Sequence, residues 1–160
     1  MIASFAQWAS NLPLSLTIQT TKWAIPSLQT VHILAIAGVM AAAFMINLRV
    51  LGVAAVAQPT GDVARRFLPW IWVGTLVLAL SGVPLGMSEA LDVIPNPAFQ
   101  TKMLLLVCAI GITWLNGRRV IKASKAGNMP NDLTTKGTAL VSLLLWVMVV
   151  IAGRWIGYTG

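Results

Sequence analysis

A single histidine, His32, and a single cysteine, Cys108, make up the sequence's whole stock of imidazole and thiol donors. One cysteine allows neither an internal disulfide nor a cysteine-rich metal site. With one histidine added, the set still falls short of the three protein ligands plus water that a catalytic zinc requires. No serine or cysteine stands in a motif with a histidine and an orienting acid, so no nucleophilic triad is visible. No glycine-rich loop with phosphate-cradling spacing occurs either. Glu89 and Asp92 follow an apolar stretch and do not lie inside one, whereas proton-coupled transport relies on a deeply placed carboxylate. No classical enzyme is expected from this inventory. What remains is the chemistry of one imidazole among a few cations, which is binding chemistry.

The elements that hold these residues follow from composition. Of 160 residues, 58% are apolar and only 9% are charged, and the mean hydropathy is +0.82. A soluble domain carries about 25% charged residues, and a disordered chain is hydrophilic and charge-rich. Both classes are excluded, and the expected fold is an all-α, four-helix transmembrane bundle forming one domain. A spanning helix needs about 20 mainly apolar residues, and four stretches qualify: about 26–51, 69–87, 97–116 and 138–158. Asn96 can cap the third with Pro97 at its first helical position, where a missing N–H costs nothing; Pro69 is placed to open the second in the same way. Residues 52–68 and 117–137 hold Gly, Pro and charge and read as loops. Residues 4–23, interrupted by Pro13, read as an interfacial segment lying on the membrane surface. The N-terminus lacks a basic region and an unbroken apolar core, so it is expected to stay on the mature protein.

The net charge of +7 would point to nucleic acid in a soluble protein, but here its distribution gives another reading. Arg49, Arg65, Arg66, Arg118, Arg119, Lys122, Lys125 and Lys136 fall on one side of the four spans. Lys22, Lys102 and Arg154 fall on the other, with Glu89 and Asp92. Lys and Arg collect in cytoplasmic loops, so both termini are expected in the periplasm of a bacterial inner membrane, and no nucleic-acid partner is expected. Trp8, Trp23, Trp155 and Tyr158 would form the outer aromatic belt, and Trp70, Trp72 and Trp114 the inner one. Trp146 lies too deep for either and reads as packing.

Ionisable groups inside a bilayer are expensive, and each is a candidate for function. His32 lies about 12 Å inside the hydrocarbon at 1.5 Å per residue, with Gln29 one turn outward on the same face. Lys102 in span three, Arg154 in span four and Glu89 after span two bring the other helices' charges to the same leaflet. The expected site is therefore His32, Gln29, Lys102, Arg154 and Glu89, in the outer half of the bundle. A haem b needs an axial histidine in an apolar cleft and cations nearer the surface for its propionates; His32 with Lys102 and Arg154 has that order of depths. With one histidine, a methionine such as Met87 or Met103 would complete the pair, or the haem would be five-coordinate or shared across a homodimer. The main alternative is a non-catalytic subunit of a larger membrane complex. Copper held by His32 with Met or Cys108 comes third, since soft ligands favour Cu(I). Cys108 itself reads as a small buried filler. Small-residue stripes at Ala35–Gly38–Ala42, Gly82–Gly86 and Gly153–Gly157 mark close helix contacts. Pro84 leaves the Leu80 carbonyl without its helical donor, and the resulting kink would open the outer half.

The sequence resembles a group of small bacterial four-helix inner-membrane proteins of unknown function, distantly similar to copper-resistance D-type and cytochrome b561-like bundles. The matching residues are His32-Ile33-Leu34-Ala35 in span one, Leu48-Arg49-Val50-Leu51-Gly52 at its inner end, Asn96-Pro97-Ala98-Phe99-Gln100-Thr101-Lys102 opening span three, and Gly153-Arg154-Trp155 in span four. The family pattern has an aspartate before its Leu-Arg pair, where this chain has Asn47. The paired histidines of the b561-like group are absent. The resemblance implies a four-helix inner-membrane protein with no settled activity.

Overall fold

The computed structural model describes residues 2–126 and 132–158. In chain order the helices are α1 (Ile2–Ser10), α2 (Pro13–Thr20), α3 (Ala24–Val50), α4 (Thr60–Ser88), α5 (Ala90–Val93), α6 (Pro97–Lys125) and α7 (Leu133–Trp155), followed by a 3-10 turn at Ile156–Tyr158. Among the described residues there is no strand. The helices long and apolar enough to cross a membrane are α3, α4, α6 and the α7 segment. They form the expected all-α four-helix bundle, and the chain is a membrane protein by that measure. Segment 4–23 folds as two short helices. Proline is tolerated in a first turn, so Pro13 opens α2 and the break falls before it. The Ser15 hydroxyl donates to the Met87 carbonyl at 2.9 Å, and Ala6 and Ala9 pack on Ala90. The pair thus docks on α5 and the end of α4.

All four long helices start or end beyond the stretches that hydropathy marks, α3 by beginning at Ala24 and α7 by beginning at Leu133 inside the expected loop. α4 begins at Thr60, so Pro69 sits inside the helix and not at its first position. α6 runs on to Lys125. Hydropathy falls in these extensions because Arg65, Arg66, Arg118 and Arg119 are exposed there, yet the opposite faces pack helix on helix. Gly61 lies directly against Ser124. At Gly117 an added Cβ would stand 2.8 Å from Leu68 Cδ1. That tertiary contact holds the helix across Pro69, whose missing N–H would weaken an isolated one. At the end of α3 the chain turns sharply through Gly52, with φ of +77°. The Val53 N–H donates to the Leu48 carbonyl at 2.9 Å, the bond that closes a glycine-ended helix. Arg49, buried, donates from Nε to the Gln58 carbonyl at 2.6 Å and ties the loop down.

Burial is strongly one-sided. The buried residues of α3 run from Val39 to Val50, those of α6 from Ala109 to Val120, and those of α7 from Thr135 to Val149. The first halves of α3 and α6 and the last turns of α7 contribute none. α3, α6 and α7 therefore interlock at the end that carries the basic residues and are more open at the His32 end, where α4 still buries Ser81 and Ser88. Cys108, expected as a buried filler, is exposed on α6. Its thiol is apolar enough to face lipid, so nothing requires it inside.

Candidate functional site

His32 is positioned by α4. Its Nδ1 lies 2.8 Å from the Ser81 hydroxyl, which in turn donates to the Val77 carbonyl at 2.7 Å, with the Leu78 carbonyl at 3.4 Å. Back-bonding of this kind is the usual fate of a serine inside a helix, and it uses the only hydrogen Ser81 has. With that hydrogen given to Val77, Ser81 Oγ accepts from His32, and this arrangement puts the imidazole proton on Nδ1 and a lone pair on Nε2. Gly82, the next residue, makes room for the ring: a Cβ there would lie 3.1 Å from His32 Cε1.

Lys102 of α6 packs across α7. Its aliphatic stem and ammonium cross Gly153 of α7, both Cε and Nζ standing 3.4 Å from where a Cβ would be. His32 is thus seated on α4 and Lys102 on α7. Among the described residues the ion pair is Arg65–Asp62 at 3.7 Å, and no carboxylate pairs with Lys102. Thus Gly82 and Gly153, which the sequence marks as helix-contact glycines, instead seat two polar side chains. Their partners Gly86 and Gly157 face open space, and the glycines that let helices approach are Gly61, Gly74 (against Val39) and Gly117.

The remaining candidates lie apart. Gln29 is exposed one turn beyond His32, and Glu89 is exposed at the C-terminal cap of α4. Arg154 is exposed and turns along its own helix, donating to the Tyr158 hydroxyl at 3.2 Å with its guanidinium carbon 5.4 Å from that ring's centroid. The structure pairs His32 with Ser81, lays Lys102 across Gly153, and leaves Gln29, Glu89 and Arg154 exposed.

A second polar layer, at the basic end, is invisible to a search for ionisable residues. Trp146, only 2% exposed, donates from its indole Nε1 to the Thr113 hydroxyl at 3.0 Å. Thr113 and Ser142 share a hydrogen bond at 3.4 Å. Asn47 donates to the Ala43 carbonyl at 2.9 Å and to Ser142 at 3.3 Å. Asn116, 6% exposed, is one turn below Thr113 on the same stripe of α6. The signal in the sequence is the stripe itself: Ala109, Thr113, Asn116 and Val120 recur at helical spacing, as do Ala43 and Asn47, and Ala139, Ser142 and Trp146.

No curated protein and no solved structure matches this chain. The model of a family of unknown function, DUF6644, matches residues 5–159. That match spans all four long helices and both polar layers, so this membrane helical bundle belongs to DUF6644, a family of unknown function.

Proposed function

We propose that the open end of the bundle is a cofactor site, with haem b as the occupant, His32 Nε2 as its axial ligand and Lys102 as the cation facing a propionate. The observation that carries this reading is the 2.8 Å hydrogen bond between His32 Nδ1 and the Ser81 hydroxyl. A histidine that ligates iron ordinarily donates its other ring N–H to a neighbouring acceptor, which orients the ring; here Ser81 is that acceptor. Haem would supply one-electron transfer. Gly82 sets the space for the ring, Ser81 fixes its rotation, and the unpaired Lys102 offsets a carboxylate in a setting where charge is poorly solvated. Arg154 on the rim, now on Tyr158, would be the cation for a second carboxylate. With one histidine in the chain, a methionine or a second copy of the chain would supply any sixth ligand.

The test is the absorption spectrum of the protein purified in mild detergent from cells supplied with a haem precursor. A Soret band with a reduced α-band is expected, and it is lost in His32→Ala. In Ser81→Ala the haem stays, and its midpoint potential shifts because the axial imidazole loses its orienting bond. A colourless preparation that also fails to take up added haemin defeats the proposal, and metal analysis of the same sample distinguishes copper.

A second reading is a non-catalytic subunit of a larger membrane complex. It draws on how little each span is covered by its own chain: 28%, 11%, 11% and 22% of the most apolar windows of the four helices in order. A stoichiometric partner retained through purification, with no pigment, would favour it.

A further inference from the structure

The polar layer at the basic end does not balance its own hydrogen bonds. Trp146 Nε1 and Asn47 Nδ2 are donors into the Thr113 and Ser142 hydroxyls. Between those two hydroxyls there is one shared bond, but two hydroxyl hydrogens. If Ser142 donates to Thr113, the Thr113 hydrogen is left over; if the direction is reversed, the Ser142 hydrogen is. One turn along α6, Asn116 has the complementary problem. Its Oδ1 and Nδ2 are both buried and neither has a hydrogen-bond partner in the protein. A buried amide with no partner is rare in proteins and costlier still within a membrane.

Positions three apart on a helix have Cβ atoms about 5–6 Å apart. Side chains at that spacing are close enough to share one bridging oxygen, yet no direct bond joins Asn116 to Thr113 or Ser142. The required ligand must accept one hydrogen bond from a hydroxyl, donate to Asn116 Oδ1, and be small enough for an otherwise close-packed layer. We infer that this layer is a built water site, in which an internal water bridges Asn116 to the Thr113–Ser142 pair. Buried waters of this kind typically make about three hydrogen bonds to polar groups that would otherwise go unmet. The site stands on α3, α6 and α7, apart from His32, and does not depend on a cofactor there.

The inference is tested by water-edited NMR of asparagine-labelled protein in lipid bilayers, with water as the probe. The side-chain NH2 of Asn116, assigned by its loss in Asn116→Leu, is expected to draw magnetisation from water, as that of the exposed Asn11 does. Thr113→Val, which removes one arm of the bridge, is expected to cut that transfer at least twofold. Asn116→Leu is expected to lower Tm, because leucine fills the space and leaves the spare hydroxyl hydrogen without an acceptor. A dry Asn116 in the wild-type protein overturns the inference. So does a higher Tm in Asn116→Leu, since that is the result for an amide that had no partner to lose.

Discussion

The two ends of the bundle solve opposite problems with the same four helices. At the basic end, Gly61 and Gly117 bring α4 and α6 into contact, and neutral polar groups on α3, α6 and α7 bond to one another across the interfaces. At the His32 end, Gly82 and Gly153 accommodate side chains, and the polar groups are an imidazole and a cation without an acid to match. In lipid there is no hydrophobic drive between helices, so close packing and interhelical hydrogen bonds must supply association. One end therefore holds the molecule together, which frees the other to stay open. A stripe of small residues has two uses in such a bundle, and only the neighbour it meets tells which.

If stability resides at the basic end, the largest loss comes from its one deeply buried aromatic ring. Trp146→Ala removes an indole that is 2% exposed and is expected to cost about 3–5 kcal/mol, read as the unfolding midpoint in mixed micelles. Trp146→Phe keeps most of the packing and loses the bond to Thr113, so it should cost about 1 kcal/mol. Equal effects of the two would place the weight on the hydrogen bond and not on packing. The glycines divide the same way. Gly117→Leu drives a side chain into Leu68 and is expected to cost about 1–3 kcal/mol. Gly86→Leu at the open end meets nothing within 4 Å and should leave the midpoint unchanged or slightly higher, since glycine is a poor helix former. A large loss at Gly86 would mean that the open end is also part of the framework.

Much of the fold was legible because hydropathy and caps act locally. The four long apolar runs, the Asn96 cap on α6 (its Oδ1 accepts from Ala98 N–H at 2.9 Å) and the buried Trp146 are properties of single segments. The early start of α4 was not, because what overrides Pro69 is a contact with α6 far along the chain. His32 and Lys102 stood out as costly charges, and the structure sets each against a glycine of the neighbouring helix. Ser81 did not stand out, since a serine in an apolar helix normally bonds its own backbone, and only the approach of His32 gives it a second task. The layer around Asn47, Thr113 and Ser142 escaped for a related reason. Neutral polar residues carry little penalty in a hydropathy window, and their value lies in pairing between helices that the sequence does not align.

The smallest effect concerns the start of α7, where the basic end meets water. Asp132 caps the helix: its Oδ1 accepts from the Thr135 hydroxyl at 2.6 Å and its Oδ2 from the Thr135 N–H at 3.3 Å. The hydroxyl bond is the main cause that holds the carboxyl below the ordinary aspartate range, with the backbone N–H and the nearby Arg119 acting in the same direction. Because the value in the folded chain is the lower one, the cap contributes fully above the unfolded value of about 3.9. That contribution drains away as pH falls through the folded value. Amide exchange in the first turn of α7 should accordingly quicken in acid, while exchange around Trp146 stays slow. Asp132→Asn keeps an acceptor for the cap and removes the titrating charge, so the acid-dependent fraying should disappear even though the helix still starts at the same residue. Fraying that persists in Asp132→Asn would assign the pH response to another group at this end. Fraying that spreads to the Trp146 layer would show that the interlocked half depends on its outermost turn.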